Sequence, residues 1–428
     1  MEALTIKNQN AMPAPTWGWL RMNDADIRVP DGLERACDVA IEAAPELLSA
    51  NASFEGALAG LQERLDAARA GKPADDRAAA RAANGPDHGA ADLDTPALST
   101  YEKRAVLSEV AGSVSADFET GVGADAHAYL NMLAGGTAVL ATGENAKASA
   151  TVRVTAKPGT ASGASLDVVA APDSTLDLAI SLDAQGDDAA AGAQPGELGL
   201  LGSTLRVFAG ARSHVNVTVY LTADAGFTAL DDSGYVADED ARITVRHEVL
   251  GGGFTATGLA ADLRGGGSRI DIDTRYLAAQ SDVRDFNYVV RHRGRKTVCD
   301  IQANGVLTGT AKKTLRGTID LVHGCKGSQG NEREVVLLAN QGVENKTVPV
   351  ILCDEDDVAG NHGATIGHVR PEQLFYTACR GLSEAQSEAL FLSAKLEDAM
   401  LSAPDEKIRA NVERLGCNLI PDFEEELA

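Results

Sequence analysis

The feature that most constrains the fold is a long series of short runs in which apolar residues alternate with small or polar ones. The runs lie between about Asp125 and Ile366, are rich in Val, Thr, Leu and Ile, and are separated by Gly, Asp and Asn. A period of two is typical of β-strands that bury one face and expose the other. No helical stretch of roughly 10 to 15 residues separates the runs, which argues against a doubly wound α/β sheet.

Two architectures fit this pattern: antiparallel sandwiches or barrels, and a parallel β-helix. Several sandwiches in a row would need visible linkers. The one stretch of that composition, residues 183–196, is interpreted as a loop inserted in the array. A β-helix tolerates such an insertion on one face without losing its stacked core. An aromatic content of 4% also suits a narrow solenoid interior. The residues alone leave both architectures open.

Length and charge narrow the class of protein. A chain of 428 residues is too long for one ordinary core unless it is a solenoid, which grows in one dimension. Its 38 basic and 62 acidic residues give a net charge of −24, which argues against nucleic acid and anionic membranes as partners. Two basic clusters, residues 291–296 and the group Lys312, Lys313 and Arg316, are expected in solvated loops or edges.

The expected compartment is the cytoplasm. Residues 1–17 are polar and lack the apolar segment of an export signal, and no run of about 18 apolar residues predicts a spanning helix. The six cysteines are scattered without a C-x-x-C pair, so reduced thiols are expected rather than a disulfide framework.

Three regions are predicted along the chain. Residues 1–118 form a helical N-terminal region with a flexible linker near 71–96, residues 119–366 form the β core, and residues 367–428 form a C-terminal helical domain. Within the first region, Ala, Leu and Glu at helical spacing predict helices over 33–48 and 54–70, and 101–118 is a further helix or a helix-to-strand transition.

The C-terminal helices carry recognisable start and stop signals. Pro371 suits a first helical turn, Gly381 ends that helix, and Ser383 with Gln386 forms a capping box for the next. That second helix carries an apolar stripe, and a last helix beginning at Ser402 and Pro404 is predicted to close at Gly416; the stripe residues are Ala385, Ala389, Leu392 and Leu396. We expect these helices to cap an end of the β core, because a solenoid end exposes unpaired edge groups and apolar residues. The alternative is that their apolar stripe packs on this chain's own core.

Motifs for several chemistries are missing. The dipeptide Gly71-Lys72 is followed by Pro73, so there is no phosphate-binding loop. His247-Glu248 has Gly251 where a metalloprotease helix needs its second histidine. The glycine triplets 251–253 and 265–267 are interpreted as tight turns. Two alternatives stay open: a carbohydrate-active β-helix enzyme, disfavoured because both tryptophans lie near the N-terminus, and a structural β-solenoid that binds proteins.

An ordered series of motifs resembles the SufB/SufD family of iron–sulfur cluster assembly scaffold subunits, over roughly residues 233–400 and closer to SufD. The motifs are 283–288 with His292, 315–319, 334–338, 349–352, 356–358, 362–365, Phe375-Tyr376 and Arg380-Gly381. The resemblance implies a right-handed parallel β-helix flanked by helical terminal regions and a non-catalytic role. It also implies pairing with a SufB-type subunit or a second copy, and docking of a SufC-type ATPase by the C-terminal helices near Phe375, Tyr376, Arg380 and Gly381.

The resemblance also singles out His362. In SufD-type chains the histidine of this motif faces the site between subunits, so His362 is a candidate ligand for a transient iron–sulfur cluster shared with the partner, and no tightly bound cofactor is expected in this chain alone. Gly363 stands where SufB-type chains have Glu, which favours SufD over the alternative of a SufB-like homodimer. Gly360 stands where SufD commonly has Cys, which weakens thiol chemistry there.

Purely structural roles are the alternatives for these candidate residues. The alternative interpretation of His362, a polar residue in the turn after the last strand with a hydrogen bond to backbone, is favoured slightly over the ligand role. Cys299, Cys325 and Cys353 could face a cluster, but free cysteine is among the most buried residue types, so inert core positions are favoured for all three.

Overall fold

The computed structural model describes residues 4–14, 22–48, 119–186, 197–420 and 423. Within them the chain is mainly β, with twenty strands and four helices. The early strands are β1 (Leu4–Gln9), β2 (Ala25–Val29), β3 (Glu34–Ala36), β4 (Val39–Ala43) and β5 (Ala138–Ala141). The coil strands are β6 (Lys147–Ala156), β7 (Thr160–Ala170), β8 (Thr175–Ala184), β9 (Gly199–Ala209), β10 (His214–Leu221), β11 (Phe227–Ala237), β12 (Arg242–Val249), β13 (Phe254–Leu263), β14 (Arg269–Ala278), β15 (Val283–His292), β16 (Val298–Leu307), β17 (Lys312–Leu321), β18 (Gln329–Leu338), β19 (Glu344–Cys353) and β20 (Ala359–His368). The helices are α1 (Ala124–Ala134), α2 (Pro371–Cys379), α3 (Glu384–Leu401) and α4 (Glu406–Leu419).

The coil strands alternate between two sheets of nine strands each. Even-numbered strands from β4 to β20 form one sheet, and odd-numbered strands from β3 to β19, with β5 beside β7, form the other. Each coil therefore contributes one strand to each sheet, and positions of successive coils stack directly, as Thr228 does on Phe254 and Lys312 on Glu344. Parallel, in-register stacking of successive coils is a parallel β-helix, which confirms that prediction and excludes separate sandwiches.

One coil is longer than the rest. In the even-numbered sheet Lys147 lies opposite Thr175, and Thr175 in turn lies opposite His214, which is a visibly longer step along the sequence. The longer step is what an insertion between β8 and β9 predicts. Of the loop predicted over 183–196, Asp183 and Ala184 belong to β8, and residues 187–196 lie outside the described residues.

The core consists of stacked rows of inward-facing apolar side chains. One row through the even-numbered sheet contains Leu178, Val217, Val245, Ile272 and Ile301, all at most 2% exposed. Full burial of each such side chain contributes about 1.5–3 kcal/mol relative to exposure, so the rows stabilise the stack. The period of two in the sequence therefore corresponds to the inward and outward faces of each coil.

The helix predicted over 33–48 is wrong. These residues form β3 and β4, which lie at the first positions of the two sheets, and β4 pairs antiparallel with β6. Val39 and Ile41 pack against the solenoid core, so tertiary pairing overrides the weak helical preference of this Ala- and Glu-containing segment. The helix predicted over 54–70, the linker 71–96 and the segment 101–118 lie outside the described residues, and the division into three domains stays a prediction.

The continuous series of coil strands begins later than the predicted start near Asp125, because residues Ala124–Ala134 form α1. That helix and the β1–β2 hairpin pack on the outer face of the odd-numbered sheet. Ile27, Leu130 and Leu133 are fully buried there against Leu200 and Leu230. The outward face of this sheet is therefore apolar where other elements cover it. The period of two in the sequence does not distinguish these covered outward residues from outward residues that face solvent.

The C-terminal helix signals are confirmed in part. Proline opens α2, and the Ser383 hydroxyl accepts a hydrogen bond from the Gln386 amide at the start of α3. The last helix begins after the capping Asp405 and runs past the predicted end at Gly416 to Leu419. No helix in the described part of the chain is both long and apolar enough to cross a membrane.

The predicted end cap is wrong, because the C-terminal helices lie along the flank of the solenoid. Leu396, Ile408 and Val412 are buried against Tyr220 and Leu277 on the outer face of the even-numbered sheet. The Tyr220 hydroxyl donates to the backbone oxygen of Ala399 at 3.1 Å. The apolar outward residues of several coils require a cover, and the helices provide it there instead of at an end.

The basic clusters are not simply solvated. Lys313 and Arg316 are each 1% exposed, and His292 is fully buried. Arg316 pairs with Asp285 at 2.7 Å and donates to the backbone oxygens of residues 22 and 24. These contacts hold the N-terminal segment against the solenoid. The Arg316 guanidinium therefore takes part in packing and does not lie at a solvated edge.

Both glycine triplets lie at turns, as predicted. Gly252 and Gly267 have φ angles of 82° and 74°, which glycine adopts without the steric cost that a Cβ would add.

Candidate functional site

The last coil of the solenoid is uncovered. Among the described residues, no strand lies beyond β19 in the odd-numbered sheet or beyond β20 in the even-numbered sheet. Every residue of β20 is exposed except one, which is half-buried. An edge strand offers unpaired N–H and C=O groups on which another chain can form a ladder. This open end is therefore a surface suited to pairing with a second subunit.

His362 lies within β20 and not in a turn. A Cβ at Gly360 would lie 3.1 Å from Ile351 Cγ2, between the sheets, whereas a Cβ at Gly363 would meet nothing within 4 Å. Because side chains alternate along a strand, His362 faces the same side as position 360, toward the space between the sheets. No hydrogen bond to its imidazole is found in the described part of the chain, so the hydrogen-bonded turn alternative is wrong. Cluster binding by His362 stays a prediction.

The row that contains His362 changes character at this end. After the apolar row that ends at Ile301, the next two positions are Glu332 and then His362. Strands in a sheet are about 4.8 Å apart, so these two side chains occupy neighbouring positions on the same face. An apolar row that ends in a carboxylate and an imidazole does not serve core packing.

The Glu332 carboxyl group is buried without full compensation. Glu332 is 5% exposed, and among the described residues its Oε2 atom has no hydrogen-bond partner. It occupies the space beside Gly317, where a methyl group would overlap the carboxyl group. Burial raises the pKa of Glu332 to about 7, with Glu334 adding to the shift and Lys313 opposing it. Removing a carboxylate from water without a partner is costly, so a group of this kind indicates an interaction that is completed elsewhere.

The neighbouring polar groups, in contrast, satisfy one another. Lys313 forms an ion pair with Glu334 in the interior, both at most 1% exposed. Thr347 Oγ1 donates to Glu334 Oε2 at 2.6 Å, and the Tyr276 hydroxyl donates to Glu334 Oε1 at 3.3 Å. The pair is neutral as a unit and leaves Glu332 as the carboxyl group that it does not satisfy, next to His362.

The cysteines divide into two groups. Cys299 and Cys325 are buried, and burial raises the pKa of their thiols to about 12 and about 11, as expected for inert core positions. Cys353 is exposed, so the core interpretation is wrong for it. It lies in register with the buried Leu321, but it belongs to the last coil, and no described strand stacks on it.

A complete metal site is not formed by one chain. Among the described residues, no group of three or more His, Cys, Asp or Glu side chains is arranged to hold a metal ion. Any cluster or ion bound at the open end would need further ligands from a partner or from solvent.

The second candidate surface is the exposed side of α2. Phe375 is 71% exposed and Tyr376 58% exposed, and the Arg380 guanidinium lies 4.8 Å from the centre of the Tyr376 ring. Gly381 follows with a φ of 89° and ends the helix. Large aromatic side chains left in solvent are typical of a protein-binding surface. ATPase docking at these four residues stays a prediction.

Sequence reasoning missed Glu332, Glu334 and Lys313 as interior residues. A signal was present: Glu332 and Glu334 share the period-two face of Val336 and Leu338, which are buried. Two glutamates on the otherwise apolar face of one strand could have predicted a polar site inside the solenoid.

The chain matches the family model described as "SUF system FeS cluster assembly, SufBD core domain" over residues 153–395, more than half of its length. It is 25% identical over 182 residues to the iron–sulfur cluster assembly protein SufD of Bacillus subtilis (strain 168), a match that covers 42% of each chain. It is 23% identical over 176 residues to the SufD protein of Escherichia coli (strain K12), which covers 41% of each chain. The matched part thus spans about two fifths of these relatives.

Proposed function

Since this chain belongs to the SufB/SufD family of iron–sulfur cluster assembly proteins, we propose that it is the SufD-like subunit of a cytoplasmic assembly scaffold. It acts without catalytic turnover of its own. It pairs with a SufB-type subunit through the open end of the β-helix and docks a SufC-type ATPase through α2. A transient cluster is held between the two paired subunits.

The observation that supports this proposal most directly is the uncovered last coil. It lies inside the region that matches the family model, and it brings the edge of β20, His362 and the exposed Cys353 to one end of the molecule. A neutral imidazole is a suitable ligand for iron, and the remaining ligands would come from the facing subunit.

A SufB-like homodimeric scaffold is the second candidate. A Cβ at Gly363 would meet nothing within 4 Å, so the space next to the backbone does not require the glycine that favours SufD. Anaerobic reconstitution of the chain alone separates the two functions. A brown chromophore in the absence of any partner favours the SufB-like role, and its absence favours the SufD-like role. No observation on the described residues favours a carbohydrate-active enzyme.

The proposed function is tested by co-purification and by cluster formation in the assembled complex. We expect the wild-type chain to retain an ABC-type ATPase and a SufB-type subunit. His362→Ala should leave the fold and ATPase retention unchanged, because the imidazole is exposed and unbonded, while the yield of cluster falls severalfold. Wild-type cluster yield from this variant would refute the ligand role, and loss of all retention by the wild type would refute the scaffold role.

A further inference from the structure

Glu332 is the interior charge that neither packing nor the ion pair of Lys313 and Glu334 explains. Its coil neighbour on one side is the apolar Ile301, and on the other side is His362. In the part of the chain that the structure describes, its Oε2 atom has no hydrogen-bond partner although only 5% of the residue is exposed. The only polar group that the register brings next to it in its own row is therefore the imidazole of the last coil.

The residues around Glu332 leave room for its carboxyl group but do not supply a full partner for it. Gly317 leaves the space that its carboxyl group occupies. The Lys313 ammonium is already paired with Glu334, so it does not neutralise a second carboxylate fully. Burial of the carboxyl group is tolerated in this subunit only at an energetic cost, and a cation that reaches the open end would offset that cost.

We propose that Glu332 is a second metal-binding residue behind His362, and that the two side chains form half of a divalent-cation site, suited to ferrous iron, at the open end of the solenoid. The inference rests on the proposed function, since it adds a ligand to the same site. It concerns the chain itself, however, and is measurable without a partner.

The donor chemistry favours this class of ion. A carboxylate oxygen with one imidazole nitrogen suits first-row divalent ions such as Fe²⁺, Co²⁺ and Mn²⁺, and lacks the thiolates that select Cu(I). Two protein ligands would leave coordination positions for water in the isolated subunit and for side chains of a partner in the complex.

The direct test is anaerobic titration of the full-length chain with Co²⁺, followed by visible absorption and by calorimetry. We expect saturable binding of one ion per chain. Glu332→Gln keeps the shape of the side chain but removes its charge, and should weaken binding at least about tenfold, as should His362→Ala. Glu344→Gln removes an exposed carboxylate of the neighbouring strand β19 and is the matched control, with binding unchanged.

Gly317→Ala provides a second test with both ligands present. The added methyl group overlaps the Glu332 carboxyl group and should displace it, so Co²⁺ binding weakens although neither ligand is removed. Circular dichroism checks that each variant retains its β-sheet content. Absence of saturable binding by the wild type up to about 1 mM Co²⁺, or equal binding by wild type and Glu332→Gln, would overturn the inference.

The two proposals fail in different ways. If Glu332→Gln binds Co²⁺ as the wild type does while His362→Ala lowers cluster yield in the complex, the scaffold function stands and the role of Glu332 is wrong. If the chain retains neither ATPase nor partner, the scaffold function is wrong, and the Co²⁺ titration still decides whether Glu332 and His362 bind metal.

Discussion

At the scale of single residues, the molecule tolerates several buried charges, and Glu248 is the clearest outside the site. It lies on the outer face of β12 beneath the C-terminal helices and is 1% exposed, and neither carboxylate oxygen has a hydrogen bond to any residue that the structure describes. The Arg275 guanidinium lies 3.8 Å away but also pairs with Asp273 and Asp398. Burial raises the pKa of Glu248 to about 8, and the nearby Arg275 and Arg246 only oppose that shift.

This pKa predicts a pH dependence of stability. A carboxyl group whose pKa is higher in the folded state stabilises the fold below its unfolded pKa of 4.5, and that contribution is lost as the pH rises through about 8. Glu248→Gln should therefore raise the free energy of unfolding by about 1–3 kcal/mol at pH 8.5 and change it little at pH 5. Urea unfolding at both pH values measures this. An equal effect of the substitution at the two pH values would contradict the assignment.

The thiols provide a second prediction at this scale. Cys299 and Cys325 are buried, with thiol pKa values raised to about 12 and about 11, whereas Cys37, Cys353, Cys379 and Cys417 are exposed. Because thiolate and access both limit alkylation, four thiols should react with iodoacetamide in the native protein at pH 8 and six after denaturation. Mass spectrometry of the labelled peptides identifies them. Native labelling of Cys299 would show that the solenoid interior opens readily.

At the scale of elements, α2 differs from the helices that follow it. None of its described side chains is buried, whereas α3 and α4 bury Leu396, Ile408 and Val412 against the sheet. A helix with no buried face gains little from its own fold. Its exposed aromatic residues therefore fit a helix that is stabilised by a bound partner, which is the role proposed for it.

The pair of substitutions Phe375→Ala and Tyr376→Ala tests that role. Both side chains are more than half exposed, so the change in unfolding free energy should stay within about 0.5 kcal/mol. Retention of the ATPase in a pull-down should nevertheless be lost. Met132→Ala, which removes a side chain that is 52% exposed on α1, is the control and should retain the ATPase. Undiminished retention by the aromatic double variant would exclude α2 as the docking helix.

At the scale of the whole molecule, the outer faces of the two sheets are covered by other elements, whereas one end of the solenoid is not. The hairpin and α1 cover the odd-numbered sheet, the C-terminal helices cover the even-numbered sheet, and the coil containing β19 and β20 is left open. This arrangement supports the proposed pairing at the open end, because an open edge strand is a ready template for pairing with another chain.

Ile366 allows this direction of association to be tested. It is 48% exposed on β20, in register with the inward-facing Val336. Ile366→Lys should block association at the open end, because pairing would bury an unpaired ammonium group. Light scattering, with and without a SufB-type partner, should then give the mass of a single chain. Val335→Lys changes an outward residue of β18 that is 41% exposed, and this control variant should associate as the wild type does. The same mass for both variants would place the interface elsewhere.

The sequence by itself determined a mainly β fold, the helix signals at Pro371 and Ser383, and, through an ordered set of motifs, the family and the β-helix that the family implies. These are local properties: a period of two specifies which side of a strand is apolar, and a capping residue acts within one turn. Only the tertiary structure decided that 33–48 pairs as strands, that the C-terminal helices lie on a flank, and that Glu332 stands behind His362. Each depends on which residues are stacked from one coil to the next, and that register is set by packing between distant segments, which a single strand does not encode.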